Sequence, residues 1–386
     1  MNVTKNLKIL DTFVLIENIV CIYRNFSVKS MTSKIFVSLR ISIEVTLTTF
    51  VYVWNLMNLY SGMYDNRLRI IFQTFSFLSS MVMIFNGLLF SKTFVSLTKN
   101  IQHVYIINLG NNTLITTIKK IKIALLVQGT IYITSRLILS GSVWRSVIYH
   151  LYDEKIVTVH NIYNLLIGAL YGTWVQTRSI IEFAVFFALI FIIGSLFKIL
   201  NERVVMTLNE LDNLEHKNKT DIIKVSTVKE WVIVYRHLLD SCKQLHTCFA
   251  IQVKYYFIYL NLLVSERFIT SHSYRCENTE YEYVASQMAV TFCYQVVSIV
   301  PIMVAGQRLN NQFAILKKSL AKMNNLLIVV PDTPEYKEVK DFLHFLRLNS
   351  VELKLLSYPI GMAMLPTSFG VVVSYVVIAL QFNHVV

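Results

Sequence analysis

Four groups of residues in this chain have the types and spacings that chemistry needs. His216 and Asp221 stand five apart, the His-x-x-x-x-Asp spacing in which membrane acyltransferases use the histidine as base. They lie in a polar Lys/Asn-rich stretch with no glycine- or proline-rich substrate motif nearby, so chance spacing is the better account. His237, Cys242, His246 and Cys248 form the one His/Cys cluster. Zinc needs four converging donors, and only Cys242 and His246 share a helical face, so these read as helix contacts and no metal is expected. Arg136, Arg178 and Glu182 are ionisable groups within apolar stretches, where each must face a cavity, find a counter-charge or reach an interface. Thr367, Val371, Ser374, Ile378 and Gln381 recur at steps of three and four, which makes them one stripe on a helix, polar at its start, then apolar, then ending in an amide. Such a stripe by itself reads first as a helix packed on its neighbours through small and β-branched residues, and it is compatible with an apolar constriction that closes by dewetting at Ile378 beside Gln381 or Phe382. No phosphate loop, dinucleotide fingerprint or His-Glu-x-x-His is present, so no catalytic residue, no cofactor and no enzyme activity are expected.

The elements that position these groups follow from composition. Of 386 residues, 54% are apolar and 15% charged, mean hydropathy is +0.52, and 36 Lys+Arg against 23 Asp+Glu leave a net charge of +13. That is too much apolar surface for one water-soluble core, so the expected class is an all-α integral membrane protein. Only 11 Gly, 5 Pro and 5 Cys exclude collagen-like, linker and disulfide-scaffold architectures, and a basic excess on so apolar a chain points to anionic lipid rather than nucleic acid. A bilayer core of about 30 Å needs roughly 20 apolar helical residues. Windows of that size are Phe36 to Asn58, Ile70 to Phe90, Ile121 to Val143, Ile180 to Leu200, Val284 to Ala305 and Pro359 to Phe382. A seventh, Phe249 to Ser265, is short and carries Lys254, close enough to one end to snorkel. Arg178 and Ser179 leave no room for a turn before Ile180, so 161–200 reads as one helix of about 60 Å.

Seven transmembrane helices put the termini on opposite sides. Lys/Arg total 24 in 1–35, 91–120, 201–248 and 306–358, against six in the remaining connections, so the N-terminus is predicted cytoplasmic and the C-terminus extracellular. The Asn-x-Ser/Thr triplets at Asn2, Asn25, Asn111 and Asn218 all fall on the cytoplasmic side and read as chance. This orientation is the reverse of G-protein-coupled receptors, whose Asp/Glu-Arg-Tyr and Asn-Pro-x-x-Tyr motifs are also missing. The chain divides into a cytoplasmic segment 1–35, spans 1 to 6 over 36–305, a cytoplasmic loop and anchor helix over 306–358, and the last span with a short tail over 359–386. Two amphipathic helices fit an anchor. One carries Tyr235, Leu239, Cys242, Leu245 and Phe249 on a face, and the other, Asp341 to Leu356, ends before Pro359 breaks it at the membrane.

The last span reads Ser374-Tyr375, five hydrophobic residues, then Gln381-Phe382. This resembles the Thr-Tyr, five hydrophobics, Gln-Phe ending of insect gustatory receptors, with Ser in place of Thr. Length, span number, orientation and the short tail agree. The resemblance implies a ligand-gated, non-selective cation channel, a homotetramer or a heterotetramer with related receptors, in the plasma membrane of a sensory neuron dendrite. The last helix of each subunit would line the pore, and cytoplasmic helices would anchor the assembly. The implied ligand is a small tastant, with a bitter or other non-sugar compound favoured by the aromatic richness and short outer loops.

The pocket would lie in the outer halves of spans 2 to 6. Alternating helix direction places there Phe72 and Phe75, Tyr132 and Arg136, Tyr171, Trp174 and Arg178, Tyr259, and Gln287 and Thr291. Glu182, one turn from Arg178, is positioned to neutralise it. The alternatives are an odorant receptor of the same architecture and, from another class, a membrane acyltransferase using His216.

Overall fold

The computed structural model describes residues 8–61, 67–107, 116, 118–127, 129–134, 159–213, 223–274, 281–350, 353–355, 358–364, 366, 370, 374 and 377. Side chains are described for these except at 8, 58–61, 67–69, 71–72, 159–172, 176, 256–274, 281–298, 354–355 and 358–359. Helix α1 is Lys8–Ile19, α2 is Met31–Ser61, α3 is Arg67–Leu89 and α4 is Ser91–Ile107. Helical residues 118–127 and 129–134 make up α5. Then come α6 (Val159–Asp212), α7 (Val225–Tyr274), α8 (Tyr281–Leu327) and α9 (Pro334–Leu348). Among the described residues the strands form one two-residue antiparallel ladder, in which Lys354 faces Pro359 and Leu355 faces Tyr358. Helical positions recur at 364, 366, 370, 374 and 377.

Each expected span of which the structure describes a substantial part falls on a helix, but the ends differ. The stretch read as one helix over 161–200 is part of a 54-residue helix, α6. The amphipathic segment around Tyr235 and the stretch Phe249 to Ser265 are one 50-residue helix, α7, because no Pro or Gly interrupts the run. The stretch 306–327, expected as loop, continues α8 instead. Its polar Asn310, Asn311 and Gln312 hide an apolar series, Leu309, Leu316, Leu320, Met323 and Leu327, each fully buried. The anchor helix lies at Pro334–Leu348 rather than Asp341 to Leu356. It is capped by the Thr333 hydroxyl, which accepts from the Tyr336 amide, with Pro334 in its first turn. Pro359 does not open the last helix but closes the ladder, and its missing N–H costs nothing on a two-residue edge.

Among the described residues, Met31–Met57 and Thr173–Asp212 are each long and apolar enough to cross a membrane. Gln73–Leu89 and Ser91–Ile107, bent by 66° at their junction, make a third if read as one broken span. These helices occupy different places. The Thr173–Asp212 window is 67% buried, so α6 is the central post, whereas only 17% of the Met31–Met57 window is buried. Ile35, Leu39, Ile43, Leu47, Phe50 and Met57 form an exposed apolar stripe along α2, more than a water-soluble surface tolerates and what a lipid-facing helix requires.

The lower core is built where α6, α7, α8 and α9 meet. Tyr235 stands at its centre, with the rings of Phe197, Phe313, Phe342 and Phe345 at centroid distances of 5.7 to 6.3 Å. Its hydroxyl donates to the Asn349 carbonyl at 2.8 Å, which caps the end of α9. Burial pushes this phenol well above the usual tyrosine range.

Candidate functional site

The polar interior begins with the segment that follows α1. Cys21 takes a left-handed backbone conformation (φ 64), which turns the chain back, and residues 20–24 are buried throughout. Ile22 passes so close to α3 that a Cβ at Gly87 would stand 2.9 Å from its Cγ2, so this crossing needs glycine. The turn delivers Arg24 to the interior, where it is 1% exposed. Its Nε donates to Glu17 Oε1 at 2.9 Å, and its Nη2 donates to Glu182 Oε2 at 2.5 Å and Gln252 Oε1 at 2.9 Å. Nη1 reaches the Cys248 carbonyl at 3.4 Å, and the guanidinium lies 4.0 Å from the Phe249 ring centre. One side chain thus joins α1, α6 and α7. Two ionised carboxylates around one guanidinium would leave a charge of −1 in a buried site, which favours a proton on one of them, and Glu17 Oε2 has no partner among the described residues. Burial pushes the Glu17 carboxyl up to about 8, helped by Glu182 and opposed by Arg24.

Arg178, fully buried, organises a second network about one helical turn away. Its Nε donates to the Val20 carbonyl at 3.0 Å, and its other nitrogens donate to Ser80 Oγ on α3 and Glu44 Oε1 on α2. The same Glu44 oxygen accepts from Trp174 Nε1 at 2.5 Å, and the Trp174 ring lies 5.9 Å from the guanidinium. The expected neutralisation of Arg178 by Glu182 is therefore corrected. Glu182 serves Arg24, and Arg178 takes a carboxylate from another helix. Neighbours on one helix face meet only if no better partner is presented across the bundle, and here each has a fully or mostly buried partner opposite.

These contacts also place Arg178. Glu44 is eight residues into the Phe36 to Asn58 stretch and Ser80 ten residues into Ile70 to Phe90, so Arg178 sits level with the middle of both rather than at their outer ends. Above it, Tyr132 of α5 shares a hydrogen bond with Thr177 at 2.8 Å. Tyr52 of α2 bonds the Thr74 hydroxyl at 3.0 Å and stacks on Phe77 at 4.3 Å. Phe75 is half-buried on the same helix. The result is a polar, aromatic-edged floor between α2, α3, α5 and α6.

Of the residues expected to hold a ligand, the structure brings Trp174, Arg178 and Tyr132 into this floor, with Phe75 on α3. Phe72, Tyr171, Tyr259, Gln287 and Thr291 lie on helical backbone of α3, α6, α7 and α8, with side chains outside the described residues, and Arg136 lies outside them altogether. Glu44 and Tyr52 were missed. The available signal was Glu44 itself, a carboxylate alone in an apolar helix, which had to have a cation.

Of the expected pore stripe only Ser374 is described. It is exposed, and its hydroxyl donates back to the Gly370 carbonyl at 2.8 Å. Pro366, Gly370, Ser374 and Val377, at helical spacing, share that exposed face, and among the described residues nothing stands within 4 Å of where a Cβ on Gly370 would be. Thr367, Val371, Tyr375, Ile378, Gln381 and Phe382 lie outside the described residues, as do His216 and Asp221. On α7, the His237 ring lies tilted against that of His103 with centroids 4.6 Å apart, and burial with that neighbour lowers its pKa. Cys242 and Cys248 are buried free thiols, that of Cys248 pushed up to about 12 by burial, so neither is poised as thiolate.

The fold is an all-helical bundle with an apolar outer stripe along α2 and paired charges in its interior. The chain superposes on the insect olfactory receptor OR5 from Machilis hrabei with a TM-score of 0.73, at 14% identity, over 97% of this chain and 98% of that one. The same receptor in complex with eugenol matches with a TM-score of 0.73 at 13% identity, over the same shares of both chains. No family model and no curated protein matches the sequence. The likeness is one of fold, over nearly the whole of both chains, at 13–14% identity.

Proposed function

We propose that this protein is a subunit of a chemosensory, ligand-gated cation channel in a sensory-cell plasma membrane. The observation that carries the reading is the likeness to an olfactory receptor over nearly the whole of both chains. Seven spans, a cytoplasmic N-terminus and tetrameric assembly, alone or with related receptors, belong to the same proposal. Ser374-Tyr375 to Gln381-Phe382 would end the pore-lining helix, with Thr367, Val371, Ser374, Ile378 and Gln381 on its conducting face and Ile378 with Gln381 or Phe382 as gate.

Two readings of the stimulus remain. The Gln-Phe ending favours a gustatory receptor for a non-sugar tastant that mediates acceptance or avoidance of food. The solved olfactory fold favours an odorant receptor, and the eugenol complex of that protein makes a small phenolic ligand a natural first probe. The floor of Trp174, Arg178, Glu44 and Tyr132 suits a small aromatic molecule with a polar edge under either reading.

Whole-cell recording with eugenol and a panel of bitter compounds tests both. A ligand-evoked cation current is expected, and Ile378→Ala and Gln381→Ala should change resting leak or ion selectivity. A functional channel whose selectivity and leak are untouched by both changes refutes the pore assignment.

A further inference from the structure

Where α5, α6 and α8 meet below the floor, they leave a half-open cavity of about 190 Å³. Lys120 of α5, Lys198 of α6 and Arg308 of α8 line it, and no carboxylate does. Lys198 has Glu202 at 3.5 Å, an exposed pair of little strength, and among the described residues Lys120 and Arg308 have no ion pair. Arg308 is steadied over the Phe191 ring at 5.4 Å. Gln312 accepts the Asn201 amide at its Oε1 (2.8 Å), which leaves its own NH₂ free to donate. Three cations around one small cavity repel each other until an anion fills it.

We propose that this cavity binds a phosphate group. Its volume is below the roughly 300–1,000 Å³ of sites for drug-sized ligands and suits a compact anion. Its depth suits a lipid headgroup. Its α6 lining, Ile190 to Lys198, follows Arg178 by 12 to 20 residues, about 18–30 Å along α6, and half a bilayer with its headgroups is roughly 20–22 Å. The cavity therefore lies at or just beyond headgroup level, on the side that the Lys/Arg distribution makes cytoplasmic, where the protruding phosphates of a phosphoinositide are found. A soluble phosphate in the cytoplasm carries the same chemistry.

The test uses the full chain in nanodiscs of phosphatidylcholine, with or without phosphatidylinositol bisphosphate, and native mass spectrometry to count retained lipid. Lys120→Gln/Arg308→Gln should weaken retention roughly 25-fold, about five-fold per charge. Lys317→Gln/Lys318→Gln removes equal charge from an exposed part of α8 outside the cavity and should change retention by less than about two-fold. Because Lys120 and Arg308 are exposed, the substitutions spare the core, and Lys120→Gln alone, about five-fold weaker, serves if the double variant is poorly folded. In a second arm, inorganic phosphate is added to phosphatidylcholine discs and the unfolding midpoint is followed. A rise in wild type but not in the cavity variant identifies a soluble anion, whereas lipid retention without a rise identifies the headgroup. Equal loss of retention in both double variants means diffuse surface attraction and overturns the site, as does an unaffected cavity variant or the absence of both lipid retention and a phosphate response. The site needs no channel current, so failure here leaves the pore assignment to its own test.

Discussion

Replacing Arg24 with methionine removes the one cation that holds Glu17 and Glu182 together. Both carboxylates are within 2% of full side-chain burial, so neither has water to fall back on. Breaking a buried pair by deleting one partner costs about 3–5 kcal/mol, mainly because the remaining charge is stranded. Unfolding entropy near 2.1 cal/mol/K per residue gives about 0.8 kcal/mol/K for a chain of this length, so the midpoint should fall by roughly 4–6 °C. The triple variant Arg24→Met/Glu17→Gln/Glu182→Gln carries no stranded charge and should recover most of that loss, since an uncharged interior of similar volume often matches a buried ion cluster. Scanning fluorimetry in nanodiscs measures both. If Arg24→Met melts within about 1 °C of wild type, or if the triple variant melts no higher than the single, the guanidinium does not hold this interior together.

The Glu17 carboxyl, raised to about 8, keeps a proton that the unfolded chain releases above about 4.5, so its stabilisation is complete below that pH and is lost as pH rises toward 8. The wild-type midpoint should therefore decline across this window, at about 1.4 kcal/mol per pH unit, and Glu17→Gln should flatten the decline. Parallel slopes for the two proteins exclude Glu17 as the source. At Gly306 of α8, a Cβ would stand 2.6 Å from the Ile360 carbonyl oxygen and 2.6 Å from its Cγ2. A rotamer change cannot move the carbonyl, so Gly306→Ala should cost about 1–3 kcal/mol and loosen the residues leading into the last helix, read as a lower melting midpoint. A variant as stable as wild type would mean that this close packing is not maintained.

Much of the scaffold was legible because helix continuity is local. No turn fits between Arg178 and Ile180, and the single face of Tyr235, Leu239, Cys242, Leu245 and Phe249 is buried as its spacing requires. The lower half of α8 was misread because average hydropathy weighs Asn310, Asn311 and Gln312 equally with the leucines, whereas packing responds only to the face that Leu309, Leu316 and Leu320 share. Ion-pair partners were not legible. Sequence offers Arg178 one carboxylate at i+4, but the fold offers it Glu44, more than a hundred residues away, and leaves Glu182 for an arginine that sequence places in a cytoplasmic lead.

That lead is the part whose meaning depends most on the fold. Residues 20–24 lie between α3, α6 and α7, with the Val20 carbonyl on Arg178 and the Arg24 guanidinium on Glu182, so consecutive turns of α6 grip both ends of the same five-residue strap. Arg178 also holds Glu44 and Trp174 in the floor of the proposed pocket, and Arg24 also reaches Gln252 and the Cys248 carbonyl, where α7 begins its descent to the Tyr235 core. A ligand that drew Arg178 or Trp174 toward itself would therefore have to strain the strap or carry α7 with it. Packed interiors of this kind switch between arrangements rather than deform smoothly, and this segment adds a polar connection to the apolar contacts of α6 with α7, such as Phe186 against Phe249, that also run between the floor and the lower core.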